Sequence, residues 1–235
     1  MTFALVATNG RFCAAAISTR TVAVGGTCLF VTARGAVSTQ AWTNPLLGLW
    51  ATQALEREAT AGEALAQALE RDPDPQMRQA LVVSRDGTAA AHTGQRTTEA
   101  CGDLVGDRWA VGGNMLVGVD TLHAMAARYV SGTESSLGDR VLAALRSGQD
   151  AGGDVRGRQS AALTVFADQP YPWLDLRVDD HPDPVTELER LNALAARELR
   201  PFVDAFPTLE NPAGKYSEEL RRAMAATSQG SGGSA

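Results

Sequence analysis

The sequence predicts a mixed α/β (α+β) protein: a four-layer α/β/β/α sandwich of two mainly antiparallel sheets with helices outside. Strand-like and helical segments come in blocks: strands, a helix pair, strands, a second helix pair and strands again. A regular alternation of single strands and helices, typical of a parallel sheet, is absent from the pattern. The length of 235 residues, 44% of them hydrophobic, is sufficient for one substantial core.

Four strands are predicted before any helix. Thr2–Thr8 and Phe12–Ser18 are short apolar segments, and the Asn9-Gly10 pair between them is a strong signal for a two-residue hairpin turn. The second pair of strands is predicted at Thr27–Thr32 and Ala36–Trp42.

The first helix pair follows these strands. Pro45 is well suited to a first helical turn, and Asn44 before it is a good N-cap residue. Thr60 and Glu63 have the spacing of a capping box, which predicts the start of the second helix. That helix is expected to end before the Asp-Pro-Asp-Pro segment that begins at Asp72.

The rest of the chain repeats this order. Further strands are predicted at Ala80–Ser84, Ala89–Thr93 and Trp109–Gly112, a helix pair at about Val119–Val130 and Leu137–Ser147, strands at Ser160–Phe166 and Leu174–Val178, and a long helix after Asp183-Pro184. We therefore expect a sandwich domain over residues 1–200, a C-terminal helical extension over 201–228, and a flexible Gly/Ser-rich tail over 229–235.

Charge and composition exclude several classes of protein. A net charge of −6 and an acidic isoelectric point argue against nucleic acid as a partner. No apolar run approaches the roughly 20 residues that span a bilayer, and the N-terminus lacks the pattern of a signal peptide. Three cysteines fit a reducing compartment better than a disulfide framework, so we expect a cytoplasmic protein that has no membrane partner.

The acidic segment around His181 resembles a metal site only superficially. Asp179 and Asp180 are adjacent, so on a strand their side chains point to opposite faces, and Asp183 is needed as a helix cap. We expect a structural hydrogen-bond cluster here and no metal site.

Thr2 is a candidate nucleophile. If Met1 is removed, the hydroxyl and the free α-amine of Thr2 lie on one residue at the start of a buried strand. The amine has a reference pKa of about 7.7 to 8.0, so its neutral fraction can accept the hydroxyl proton. The alternative is that the chain begins Met-Thr for no catalytic reason, as very many proteins do.

The polar segment before the strand Ser160–Phe166 is a second candidate site. It contains Asp154, two arginines and Gln159, and loops held by a rigid scaffold often carry binding groups. The alternative is a solvated turn whose internal salt bridges fix the loop.

Six segments resemble motif blocks of the family called domain of unknown function 1028. They occur in the family's order over residues 2 to about 190: TFALVA at Thr2, STRTVAVGG at Ser18, GAVSTQAWTNPLLG at Gly35, GGNMLVG at Gly112, AGGDVRGRQSAAL at Ala151 and DLRVDDHPDPVTEL at Asp175. The family is similar in fold to the N-terminal nucleophile (Ntn) hydrolases, and this resemblance agrees with the four-layer order above.

The resemblance implies roles for individual residues. Thr2 matches the threonine of the family's opening block, although Ala4 stands where a serine is usual. Asn114 resembles the oxyanion element of related amidases, its alternative being a loop asparagine with a left-handed backbone. The implied substrate-binding residues are Gln40, Thr43, Asn44, Asp154, Arg156, Arg158 and Gln159. Asn44 has a competing explanation as the helix cap, and one of the two arginines would bind an acidic group of the substrate.

The resulting functional hypothesis is an Ntn-type amidohydrolase that cleaves a small amide bond with Thr2 as nucleophile, without cofactor or metal. Its expected partner is a small molecule that carries a carboxylate, and a homodimer is the default assembly for an enzyme of this size. The alternative is a non-catalytic protein that binds a small molecule or a peptidoglycan fragment on the same fold. Residues 198–216 would then be a remnant of a binding extension.

Overall fold

A computed structural model describes residues 2–222 of the chain. The strands are β1 Thr2–Thr8, β2 Cys13–Thr19, β3 Leu29–Thr32, β4 Gly35–Ala41, β5 Arg78–Ser84, β6 Ala89–Thr93, β7 Gly102–Gly106, β8 Trp109–Asn114, β9 Ser160–Phe166 and β10 Pro172–Val178. The helices are α1 Gly25–Cys28, α2 Pro45–Glu56, α3 Ala61–Arg71, α4 Asp120–Ser131, α5 Leu137–Asp150, α6 Pro184–Glu198 and α7 Arg200–Val203, with a 3₁₀ turn at Pro75–Met77. Met1 and the tail predicted at 229–235 lie outside the described residues.

The strands form two sheets. Sheet A has six strands in the order β10-β9-β2-β1-β8-β7, and sheet B has four in the order β3-β4-β5-β6. Every neighbouring pair is antiparallel. In sheet A, strand β1 lies between β2 and β8, so both of its edges are hydrogen-bonded.

The two sheets pack face to face, and each is covered on its outer face by helices. Helices α2 and α3 pack on sheet B, and α4 and α5 pack on sheet A. These layers confirm the predicted α/β/β/α sandwich.

Strand β1 shows why the sequence reads as apolar without alternation. All seven of its residues are buried, as are all seven of β2, because one face meets sheet B and the other meets α5. Ala4 and Val6 belong to the core between the sheets. The neighbouring residue Phe3 points to the opposite face of the sheet, toward α5. A Cβ added to Gly148 of α5 would lie 3.3 Å from its ring.

Strand β5 divides its side chains between two cores. Leu81 and Val83 join the core between the sheets, whereas Ala80 and Val82 pack under α2 and α3. This period of two places every other residue on the same face. Gln79, at the start of the strand, is therefore on the face directed at sheet A, although its side chain is polar.

The capping hydrogen bonds confirm the predicted starts of two helices, α2 and α3. The Asn44 side chain accepts a hydrogen bond from the Leu46 backbone N–H, and α2 begins at Pro45. Both bonds of the Thr60–Glu63 capping box are present, and α3 ends before Asp72.

Two predictions about strands were wrong or incomplete. Thr27 and Cys28 are not in a strand, because they form the second half of the short helix α1. The edge strand β7 was not predicted, since Leu104 and Val105 are its only large apolar residues between flanking glycines. Within residues 2–222 its single partner is β8, so β7 is an edge strand of sheet A.

The chain divides into two compact units at Glu189–Arg190, within α6. The first contains both sheets and helices α1 to α5, and the second contains α7. The domain boundary predicted at residue 200 stays a prediction. Over residues 2–222, no helix has the length and apolar character needed to cross a bilayer.

Candidate functional site

Thr2 is the first residue of β1 and lies at one end of sheet A. Across the strand pairs it stands opposite Thr19 of β2 and Asn114 of β8. Its hydroxyl oxygen is 3.2 Å from the hydroxyl oxygen of Thr19, and the residue is 7% exposed. Paired residues in antiparallel strands have Cα atoms about 5 Å apart, so the main chain of Asn114 lies directly beside Thr2.

Asn114 is held by a buried amide of sheet B. Its Nδ2 donates to Oε1 of Gln79 over 2.9 Å, and Nε2 of Gln40 donates to the same oxygen over 2.8 Å. All three side chains are at most 1% exposed. The network therefore joins the last residue of β8 to the neighbouring strands β4 and β5 across the space between the sheets.

The hydrogen bonds of Gln79 determine the orientation of the other two amides. Its Nε2 donates to the backbone oxygens of Gly113 and Gly102, over 2.9 and 3.0 Å, and these oxygens can only accept. The oxygen of Gln79 must then face Asn114 and Gln40, which present their NH₂ groups to it. One N–H of Asn114 is used in this way, and the amide retains a second N–H for another acceptor.

Gln79 is one residue of this candidate site that the sequence did not indicate. In the sequence it is a polar residue at the start of an apolar strand, RQALVVS, which by itself indicates no function. The available signal was the register of the β4–β5 pair, which places Gln79 opposite Gln40. Gln40 has a further peculiarity: its Oε1 is buried and has no hydrogen-bond partner among the described residues.

A cleft of about 430 Å³ opens at this end of the sandwich. Its lining combines four threonines, two arginines, an asparagine and several apolar side chains: Thr21, Ala41, Trp42, Thr43, Met77, Arg96, Thr97, Thr98, Asn114, Met115 and Arg156. Of the predicted site residues, Asn114, Thr43 and Arg156 line it. Thr2 is not among the lining residues, and Gln40 lies behind Asn114 in the amide network.

The backbone of the cleft is unusual at two lining positions. Ala41, at the end of β4, has a φ of 69°, and Met115, directly after Asn114, has a φ of 51°. Residues other than glycine adopt this left-handed region at a cost, and such residues concentrate at functional sites. Ala41 ends β4 and Met115 directly follows β8, so both residues with a left-handed backbone lie at strand ends that line the cleft.

The loop that carries Arg156 is attached to the turn after Asn114. Asp154 forms an isolated antiparallel bridge with Leu116, and the backbone N–H of Val155 donates to the Met115 oxygen over 3.3 Å. The Asp154 carboxylate is buried and accepts from the backbone N–H of Arg156 over 2.8 Å. Its other oxygen accepts from the Arg20 N–H over 2.8 Å. Through these bonds Asp154 fixes the backbone of the loop that carries Arg156.

The remaining predicted loop residues point elsewhere. Arg158 lies 3.3 Å from Asp183 in an ion pair, and it does not line the cleft. Gln159 donates through Nε2 to Asp180 over 3.1 Å. The Gln159 backbone N–H donates to the Thr19 oxygen over 3.0 Å. These bonds attach the Asp179–Asp183 segment to the strand beside Thr2.

Asn44 caps α2 and also belongs to a hydrogen-bond cluster that supports Trp42 of the cleft. Besides capping α2, its Nδ2 donates to Asp72 over 2.6 Å. Arg78 donates to the same carboxylate through Nε over 2.9 Å and to the Trp42 oxygen over 2.8 Å. Burial of Asp72 by itself would raise its pKa, but the hydrogen bonds from Arg78 and Asn44 outweigh it and lower the pKa.

The thiols are poor rivals to Thr2 as nucleophiles. Cys13, Cys28 and Cys101 are free, and the first two are buried. Burial raises the pKa of Cys13 to about 11, and burial also raises the pKa of Cys28. Both thiols are therefore protonated near neutral pH, and it is the thiolate that attacks.

Metal ligands are not brought together in the part of the chain that the structure describes. Residues 2–222 contain no group of three histidine, cysteine or acidic side chains arranged to hold an ion. In the acidic segment, Nδ1 of His181 accepts from the Asp183 N–H over 3.0 Å, and the Asp183 carboxylate accepts from the Thr186 hydroxyl over 2.8 Å.

Comparisons with known proteins agree on one family. The model of a family of unknown function, DUF1028, matches residues 2–188. A crystal structure of a DUF1028 protein from Silicibacter pomeroyi is similar in fold, with a TM-score of 0.83 and 26% identity, over 92% of this chain and 99% of that one. A search of curated proteins gives no significant match.

Proposed function

The chain belongs to the DUF1028 family, and from this premise we propose that it is an amidohydrolase of the Ntn type. Thr2 is the nucleophile, its own α-amine is the base, and the substrate is a small amide. The reaction needs neither metal nor cofactor. The proposal places the enzyme in the cytoplasm as a homodimer.

The observation that carries this proposal is the environment of Thr2. The residue begins the doubly paired strand β1, its hydroxyl is buried beside that of Thr19, and Asn114 stands opposite it in register. A nucleophile at the end of a strand fixed on both edges has little conformational freedom to lose on reaction. Removal of whatever precedes Thr2 converts its peptide nitrogen into an amine on the same residue as the hydroxyl.

The chemistry proceeds in two halves. The Thr2 hydroxyl oxygen bonds to the amide carbon of the substrate while the neutral α-amine takes the hydroxyl proton. The C–N bond then breaks, the proton passes to the leaving nitrogen, and an ester on Thr2 remains. Water attacks that ester with the same amine as base, which releases the acid and restores the hydroxyl.

Asn114 supplies the donor for the negative charge that develops on the carbonyl oxygen. Asn114 is a lining residue of the cleft, and Gln79 binds one N–H of its amide, which leaves the second N–H for the substrate oxygen. A single preorganised donor of this kind stabilises a transition state by about 3 kcal/mol. Gln79 acts through Asn114 and is therefore a positioning residue.

One observation favours a second candidate, a binding protein without catalysis. Thr2 is 7% exposed and does not line the cleft, whereas Trp42, Thr43 and Arg156 line it and are exposed. On this alternative the cleft holds a small molecule or a peptidoglycan fragment, and Thr2 is only the start of a strand.

A panel of small amides separates the two candidates. Amine release is measured with the wild type, Thr2→Ala and Thr2→Ser, together with ligand affinity and the melting temperature. The hydrolase predicts turnover in the wild type, reduced turnover in Thr2→Ser, and none in Thr2→Ala, with binding retained in all three. Ligand binding without turnover in both the wild type and Thr2→Ala would establish the binding protein, and equal turnover in the two would exclude Thr2 as the nucleophile.

A further inference from the structure

The charged side chains that line the cleft are both cationic. Arg96 and Arg156 contribute two guanidinium groups, and no aspartate or glutamate is among the described residues that line it. Clefts with one sign of charge concentrate ligands of the opposite sign. Each of these arginines is paired with an aspartate outside the lining, Arg156 with Asp154 and Arg96 with Asp74, so the side chains that face the cleft are cationic and their counter-ions lie behind them.

Arg156 is presented by a loop with a fixed relation to the oxyanion donor. Its partner Asp154 lies 3.3 Å from the guanidinium, and the arginine side chain remains 39% exposed. The same loop is bonded to the backbone of Met115, the residue after Asn114. The backbone of this loop is therefore held beside the turn that follows Asn114 by a hydrogen bond and by the isolated bridge between Asp154 and Leu116.

Arg96 reaches the cleft from the segment between β6 and β7. Its backbone N–H donates to the Gln76 oxygen over 2.9 Å, and the Gln95 N–H donates to the Gln76 side chain over 3.0 Å. Its guanidinium bonds Asp74, and its side chain is 59% exposed. A guanidinium has five N–H donors, and the ion pair with Asp74 does not use all five donors of Arg96.

We propose that the cleft binds N-acyl amino acids, with the free carboxylate held by Arg96 and Arg156. This substrate class rests on the proposed function for its reaction, but the binding does not. In an N-acyl amino acid the carboxylate lies two bonds from the amide nitrogen, so an amide at Asn114 needs a cation close by. The loop of Arg156 places one there.

The other lining residues suit the remainder of such a molecule. Trp42, Met77 and Met115 offer apolar contact to an acyl or side chain, and the threonine hydroxyls offer hydrogen bonds. A volume of about 430 Å³ is at the small end for ligand sites and suits a molecule of the size of an N-acyl amino acid. Guanidinium groups bind carboxylates through paired parallel hydrogen bonds, which a neutral amide does not reproduce.

The test compares N-acetyl-L-leucine with N-acetyl-L-leucinamide, which differ in the carboxylate alone. Affinities are measured by calorimetry in the Thr2→Ala protein, so that turnover does not interfere. The acid is expected to bind at least tenfold more tightly than the amide. Arg156→Gln and Arg96→Gln should each weaken the acid about tenfold and leave the amide unchanged.

Arg108→Gln is the matched control, because it removes one exposed positive charge that lies at the other end of the sheet. It should not alter either affinity. Equal binding of acid and amide in the Thr2→Ala protein would overturn the inference without reference to any variant of the arginines. Displacement of the acid by equimolar inorganic phosphate would also overturn it, since the cleft would then be a general anion site.

Turnover in the wild type separates this inference from the proposed function. Tight binding of the acid without its hydrolysis would support the carboxylate site and count against the hydrolase. Hydrolysis of neutral amides at the rate of the acids would support the hydrolase and overturn the carboxylate site.

Discussion

A cleft lies at each end of the β1–β8 pair, and the two differ in size and in lining. The one beside Thr2 and Asn114 has about 430 Å³, and the one beside Thr8 and Trp109 has about 610 Å³. The larger has acidic and basic side chains together in its lining, including Glu134. The smaller has two arginines and no acidic residue among the described residues that line it.

The difference extends to what the polar groups are bonded to. At the larger cleft, Arg140 donates to the Tyr129 and Val130 oxygens over 2.6 and 3.1 Å, so it caps the last turn of α4. At the smaller cleft, buried amides bond one another and fix the side chain of Asn114. Volume is thus a poor guide to the site here, and oriented, buried polar groups are a better one.

The largest difference in turnover is expected between variants of two asparagines, Asn114 at the smaller cleft and Asn9 at the larger one. Asn114→Ala should lower the proposed amide turnover by about 10²- to 10³-fold, because an oxyanion donor is lost. Asn9→Ala changes the same residue type at the other end, where its side chain accepts from the Arg11 and Phe12 N–H groups. It should affect the melting temperature and leave turnover intact. Equal losses in turnover would remove the distinction between the two ends.

Gln79→Leu tests the amide network through stability. The change leaves Asn114, Gln40 and the Gly113 oxygen without their shared partner, so we expect a loss of about 2 to 4 kcal/mol in the free energy of unfolding. Denaturant unfolding measures it. In the double variant Gln79→Leu/Gln40→Leu the loss should be smaller than the sum of the single losses. Strict additivity would show that the two amides do not act together.

The pH dependence of stability tests the role of Asp72, which binds Arg78 and so supports the backbone of Trp42 at the smaller cleft. Its folded pKa is lowered by the bonds from Arg78 and Asn44, against the effect of burial. The stabilisation is therefore complete above the unfolded pKa of about 3.9 and is lost as pH falls through the folded value. At pH 7, Asp72→Asn should be less stable than the wild type by about 2 kcal/mol.

The melting temperatures of the wild type and Asp72→Asn should therefore converge as the pH is lowered below about 4. A constant difference between the two proteins down to pH 2 would contradict the assigned role of the carboxylate.

The smallest effect is expected at the larger cleft. Arg140→Gln removes the donors to the Tyr129 and Val130 oxygens and the cation over the Tyr129 ring at 4.4 Å. Because these carbonyls end a helix at the surface, water replaces most of what is lost, and we expect about 1 kcal/mol of destabilisation. Turnover and ligand binding at the other end should not change. A loss of binding there would mean that the two clefts are coupled.

The same comparison shows how far sequence reasoning reached. The sandwich follows from the order of the blocks, and caps such as Asn44 and Thr60 are local signals that the structure confirms. The roles of Gln79 and Arg96 are not local. Gln79 acquires its partners from the register of two strands and the stacking of two sheets, and Arg96 reaches the cleft through a backbone bond to Gln76.

Short irregular elements were the other difficulty. Cys28 belongs to a four-residue helix whose β-branched and apolar neighbours read as a strand. A single turn of helix leaves no periodic pattern, so tertiary packing decides its conformation. Arg158 and Gln159 share the loop of Arg156, but their direction depends on ion pairs and hydrogen bonds with the distant Asp179–Asp183 segment.

The central claim is that Thr2 is an N-terminal nucleophile. The most direct measurement is the intact mass of the untagged protein after treatment with an electrophilic acyl probe such as a β-lactone, followed by peptide mapping of the modified residue. We expect a protein that lacks Met1 and carries one ester-linked adduct on Thr2, with no adduct in Thr2→Ala. A protein that retains Met1, or an adduct on any other residue, would contradict it.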